Sequence, residues 1–132
     1  MTDELNPNSR LILAVTRPGR ALRIASAALF ALMVAFLFYA SAKPAGLPLI
    51  PPPWDKLVHL GYYAALTVLL IVAFGGRGAL IAVLVVIGVG AADELFQSTV
   101  PQRQADVLDF AADIAGALVA ATVFVQLSRG RE

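Results

Sequence analysis

Six carboxylates, one imidazole and a guanidinium fall in three short stretches of this chain, at spacings that could do chemistry. The first stretch is Asp55-Lys56-Leu57-Val58-His59, running on to Tyr62 and Tyr63. Asp55, His59 and a tyrosine there share one helical face. The second is Asp93-Glu94 with Gln97, where Glu94 and Gln97 again share a face. The third is Arg103 followed by Asp106, Asp109, Asp113 and Gly116, a single stripe of one helix. His59 is of the type that serves as general acid, general base or metal ligand, or equally as a hydrogen-bonded histidine at a helix end. Glu94 is its candidate acid–base partner, and Arg103 is the group able to clamp an anion bidentately. Arg103 can instead pair with Asp106, Asp109 or Glu94; pairing is the favoured single explanation, because unpaired buried carboxylates are costly. Asp55, Lys56, Tyr63, Gln97, Asp106, Asp109 and Asp113 complete the candidate binding set, and Asp106 is also placed to cap the helix it precedes. The acidic stripe offers oxygen ligands of the kind Mg²⁺ and Ca²⁺ take, but its spacing matches no metal loop, so a divalent cation is not favoured.

Elements able to position these groups are apolar and long. Of 132 residues, 59% are hydrophobic and only 14% charged, against roughly a quarter charged in a soluble domain. Much of the surface must therefore face lipid. Four apolar segments, 21–42, 54–74, 79–96 and 107–127, are each about the length that crosses a bilayer core. The sequence predicts an all-α bundle of four transmembrane helices. Residues 1–20 read as a polar, basic tail with a short interfacial stretch at 11–15, and 128–132 as a second tail. Residues 43–53 hold five of the eight prolines and read as an extended loop along the membrane surface. Gly75-Gly76-Arg77-Gly78 is a tight turn. Ala40-Ser41-Ala42 resembles a signal cleavage site, but the long basic region before it favours retention as a helix. Three small-residue pairs four apart, Gly61/Ala65, Gly88/Ala92 and Gly116/Ala120, predict close helix packing. Trp54, Tyr62 and Tyr63 fit an aromatic belt.

Charge gives an orientation. Four spans place the N-terminus, the glycine turn and the C-terminus on one side, with Arg10, Arg17, Arg20, Arg23, Arg77, Arg129 and Arg131. The other side has Lys43, Lys56 and Arg103. Since basic residues gather in the cytoplasm, both termini are expected there, and the six clustered acids outside. There is no cysteine, which excludes disulfides and thiolate chemistry. The negative outer face argues against nucleic acid.

Taken in order, DKLVH at 55–59, DELFQ at 93–97, VPQR at 100–103 and ADVLDFAADIAG at 105–116 resemble the VanZ-like family over about residues 54–122. That family's pattern is an acidic-Lys-x-x-His at a helix start, then Glu-x-x-Gln, Pro-x-Arg and a spaced series of acids. Its name comes from a protein associated with teicoplanin resistance. The resemblance therefore implies a cell-envelope role in a bacterial-type plasma membrane, with residues 21–127 as the family domain. Two positions depart: Gln102 stands where the family usually has glycine, and Asp113 where many members have asparagine.

The favoured expectation is an outer-face site that binds or modifies a lipid-linked or cell-wall-related substrate. His59 and Glu94 would exchange protons, Arg103 hold an anion, and Asp109 and Asp113 orient. A non-catalytic membrane partner protein is the alternative, followed by an ion- or proton-coupled carrier. The carrier ranks last because the cluster is peripheral and internal repeats are absent. No substrate, reaction, cofactor or oligomeric state can be read from the chain.

Overall fold

A computed structural model describes residues 13–44 and 50–129. Within them the chain is four helices: α1 (Arg20–Ser41), α2 (Trp54–Ala73), α3 (Ala79–Gln97) and α4 (Val107–Arg129). All four are long and apolar enough to cross a membrane, and each begins and ends within two residues of the segment expected from sequence. A single helical turn at 13–16 precedes α1. Part of the interfacial stretch at 11–15, the middle of the proline loop and both chain ends lie outside the described residues.

The helix ends follow from local chemistry. Proline at 51–53 stops helix formation until Trp54. Gly75 and Gly76 end α2 with φ of 77° and 80°, the left-handed conformation that glycine adopts without steric cost. A side chain at Gly76 would also strike the Thr16 carbonyl, 2.3 Å from an ideal Cβ. Arg23 near the start of α1 donates from Nε to the Ala73 carbonyl at the end of α2, 3.1 Å away, so these helices run antiparallel. Ser41 at the end of α1 meets Asp93 and Gln97 at the end of α3. Lys56 in the first turn of α2 meets Asp109 in the first turn of α4. The bundle therefore runs up, down, up, down, with the acidic residues gathered at one end.

The closest pair is α2 and α4, while α1 packs mainly on α2. The core is Tyr63, Leu66, Leu70 and Ile71 from α2, Ala82 and Val86 from α3, and Ala117 and Phe124 from α4. Large apolar side chains such as Leu32, Phe36, Leu80 and Leu84 point away from it. That is the arrangement a lipid-facing surface requires, since lipid gives no reward for burying leucine against leucine and packing of small residues brings helices together instead.

Of the three small pairs, one sits where helices touch. An ideal Cβ on Gly116 would lie 2.2 Å from the Leu60 carbonyl oxygen, so α2 and α4 approach backbone to backbone there. An ideal Cβ on Gly61 or Gly88 meets nothing within 4 Å, so among the described residues neither brings two helices of this chain together. The aromatic belt is corrected in the same way. Trp54 is exposed, but Tyr63 is buried in the core and Tyr62 donates its hydroxyl to the Met33 carbonyl of α1 at 2.7 Å.

Candidate acidic site at one end of the bundle

Lys56 is the hub of the exposed half of the site. Its ammonium lies 2.7 Å from Asp106 Oδ2 and 3.3 Å from Asp55 Oδ2, and it donates a short hydrogen bond to Asp109. It sits in the first turn of α2, against the first turn of α4, which explains its reach to both Asp106 and Asp109. Asp106 is also the N-cap of α4: its Oδ1 accepts the Leu108 N–H at 2.8 Å. Lys56 and, less strongly, that N–H hold the Asp106 carboxyl below the usual carboxylate range.

Behind this layer stands His59, one turn along α2. Its Nδ1 is 2.9 Å from Asp113 Oδ1, and its Nε2 is 3.8 Å from Asp109 Oδ2. With a carboxylate as acceptor, Nδ1–H donates. Asp113, 1% exposed, therefore fixes both ring orientation and tautomer and leaves the Nε2 lone pair on the Asp109 side. The 3.8 Å gap is too long for a direct hydrogen bond. The His59 ring also stacks on Tyr63, with centroids 6.4 Å apart and an interplanar angle of 6°.

Glu94 stands apart from the imidazole's hydrogen bonds. Its Oε2 accepts the Asp106 backbone N–H at 2.8 Å, bracing the entry to α4. The expected His59–Glu94 proton pair is thus replaced by His59–Asp113. Asp93, fully buried, accepts from Ser41 at 2.5 Å and from Gln97 Nε2 at 2.8 Å. The Ser41 bond ties α1 to α3, and the Gln97 bond lies within α3. Gln97 is consequently spent on Asp93 and does not line the His59 site.

Arg103 departs furthest from expectation. It is half-buried in the α3–α4 loop, yet among the described residues its guanidinium makes no ion pair and no hydrogen bond. The favoured pairing with Asp106, Asp109 or Glu94 is not formed. Lys56 and the chain's own backbone N–H groups satisfy those carboxylates first, because they sit on helices already in contact. The residue before it, Gln102, has φ of 66°. This is the left-handed conformation that glycine would take more easily, and it turns the loop just before the arginine.

Two residues, Ser41 and Gly90, are not marked by the sequence as parts of the site. Ser41 was read only as part of a candidate cleavage triplet, and its bond to Asp93 joins two distant segments. Of the two acids expected to orient, Asp113 is the one that bonds to His59. Gly90 was not noticed at all; its missing side chain leaves room beside Asp113 Oδ2 and the Tyr63 ring, which an ideal Cβ would approach to 3.1 and 3.2 Å.

Comparison with known protein families, with characterised proteins and with solved structures finds no match for this chain. Among the described residues, no group of three or more His, Cys, Asp or Glu side chains is arranged to hold a metal ion. The site's chemistry has to be read from its own geometry. It offers an oriented imidazole, a lysine-held rim of carboxylates and, in the adjoining loop, a guanidinium that pairs with no side chain among the described residues.

Proposed function

We propose that this end of the bundle is an acid–base site for the phosphate-bearing headgroup of a lipid-linked substrate, on the extracytoplasmic face of a bacterial-type plasma membrane. The observation that carries the reading is the Asp113–His59 pair. A buried carboxylate that holds Nδ1–H makes Nε2 the basic nitrogen and stabilises the imidazolium formed when it takes a proton. A substrate hydroxyl, or a water attacking the headgroup, would bridge Nε2 and Asp109 across their gap. Among the described residues no carboxylate pairs with Arg103, and it would meet the phosphate, for which a guanidinium fork is well shaped. An ion pair cut off from solvent would serve as a scaffold, but the Asp106 side chain is 44% exposed and the Lys56 hub is open on that side. The sequence resemblance to the VanZ-like family supports an envelope setting for such a substrate.

His59 is the chain's one histidine, so its reactivity can be followed without ambiguity. In the purified full chain, diethyl pyrocarbonate should form one N-carbethoxyimidazole, at His59, read by its absorbance at 240 nm, reversed by hydroxylamine and absent in His59→Gln. A polyprenyl phosphate should protect it, the corresponding polyprenol should not, and Arg103→Gln should remove the protection without changing the melting temperature. A histidine that does not react, or equal protection by the alcohol and the phosphate, would rule the reading out.

A further inference from the structure

Behind His59, three helices each present a buried oxygen with no partner: Tyr63 Oη from α2, Glu94 Oε1 from α3 and Asp113 Oδ2 from α4. Their residues are 1%, 8% and 1% exposed. Orphaned polar atoms at such depth are rare, because each forfeits hydration worth about 1–3 kcal/mol, and more when charged. They are also held in place. Asp113 Oδ1 is fixed by His59 and Glu94 Oε2 by the Asp106 N–H, so each carboxyl keeps its second oxygen for the interior. Gly90 and Glu94 are one turn apart on the same face of α3. The ideal Cβ distances at Gly90 put Asp113 Oδ2 and the Tyr63 ring against that face. The seam between α2, α3 and α4 thus carries these oxygens, and the lack of a side chain at residue 90 lets Asp113 Oδ2 and the Tyr63 ring come close to α3.

Charge says what such a seam takes. Asp93, Glu94 and Asp113 are buried, and no lysine or arginine pairs with any of them among the described residues. Lys56 is committed to Asp55, Asp106 and Asp109. His59 is the one nitrogen base at hand. The tyrosine hydroxyl bonds to neither carboxylate, so a proton resting on one of these oxygens would leave the other two without a partner. A divalent ion takes six or more oxygens and several carboxylate contacts, more than this set offers.

We propose that Tyr63 Oη, Glu94 Oε1 and Asp113 Oδ2 hold one monovalent cation, sodium or hydronium, in the seam beside Gly90. Either supplies a single positive charge to oxygen ligands, and ionisable groups within spans commonly mark ion sites. The cation would sit on the far side of Asp113 from the imidazole and so couple to the carboxylate that orients His59. The site needs neither Arg103 nor a lipid ligand, and it stands or falls separately from the proposed substrate.

The test is the melting temperature of the purified full chain at constant ionic strength. One arm replaces N-methylglucamine chloride with sodium chloride at pH 8. The other lowers the pH from 8 to 6 without sodium, in a His59→Gln background that silences the imidazole. The remaining titratable groups facing the seam are Tyr62 and Tyr63 on α2, Asp93 and Glu94 on α3, and Asp109 and Asp113 on α4. A saturable rise with sodium identifies a sodium site, and a rise with acid alone that Tyr63→Phe removes identifies hydronium, because simple protonation of Asp93, Glu94 or Asp113 would survive the loss of a neutral hydroxyl. Either response should be abolished by Gly90→Ala, whose methyl group would press on Asp113 Oδ2 and the Tyr63 ring without changing charge, and weakened at least tenfold in apparent affinity by Tyr63→Phe. Asp55→Asn, at the rim, should leave it intact. No response to either cation, or one that persists unchanged in Gly90→Ala and Tyr63→Phe, overturns the proposal. Neither of those variants removes a carboxylate, so the test does not depend on the folding of Glu94→Gln or Asp113→Asn.

Discussion

Asp106 joins three functions in one residue, and this makes it the most informative position at the rim. It caps α4 through Leu108 N–H, pairs with Lys56, and donates its own backbone N–H to Glu94. Asp106→Ala removes the first two and should cost about 1–2 kcal/mol, the range of a lost N-cap. Asp106→Asn keeps a capping oxygen and should cost less. Because its carboxyl is held below the usual range in the folded chain, its stabilisation is complete above the ordinary carboxylate pKa of about 3.9. It is then lost as pH falls through the lower folded value. The melting temperature of the natural chain should therefore drop on acidification below about pH 4, and Asp106→Asn should drop less steeply. Coincident acid limbs would mean that the charge on Asp106 contributes nothing. The sequence exposed Asp106 as a cap because the motif is local. It could not show that Lys56, not Arg103, gathers the acids. Guanidinium is the better carboxylate partner in general; position decides here, since Lys56 lies on the helix that packs closest to α4 and Arg103 lies on a loop.

At the scale of the helices, the sequence exposed lengths and ends but not inward faces. Segment ends are written in proline, glycine and polar residues, and these predicted all four helices closely. The faces are hidden because a helix that is apolar almost all round carries no contrast between core and lipid sides. The spacing of four at Gly61/Ala65, Gly88/Ala92 and Gly116/Ala120 is therefore the same signal three times, and only Gly116 meets another backbone. The difference is measurable. Gly116→Ala would set a Cβ 2.2 Å from the Leu60 carbonyl and 3.1 Å from the Ala64 nitrogen, both backbone atoms that cannot swing away. Forcing α2 from α4 should cost about 1–3 kcal/mol, as overpacking typically does. Gly61→Ala and Gly88→Ala meet open space and should be neutral or stabilising by up to about 1 kcal/mol, from helix propensity alone. Reversible unfolding of the three variants in detergent gives both signs. Equal destabilisation at all three would mean that the small residues pack against something other than the helices of this chain.

The whole molecule is polarised, and its polarity gives the orientation a physical basis. The alternation of four helices brings Arg17, Arg20, Arg23, Arg77 and Arg129 to one end. The other end holds Asp55, Asp93, Glu94, Asp106, Asp109 and Asp113 around Lys56. A cationic end resists transfer across the membrane, so we propose that it stays in the cytoplasm with both termini and leaves the acidic site outside. The chain has no cysteine, so one introduced thiol reports its own side of the membrane. Thr99 suits this purpose, because it is exposed in the α3–α4 loop and its hydroxyl bonds only to the Phe96 carbonyl one turn back. In intact cells, Thr99→Cys should react with a membrane-impermeant maleimide, while a thiol appended after Glu132 should react only once the membrane is opened. The reverse pattern would turn the bundle over. It would place the oriented His59 and its rim of acids in the cytoplasm, where an extracytoplasmic lipid headgroup could not reach them.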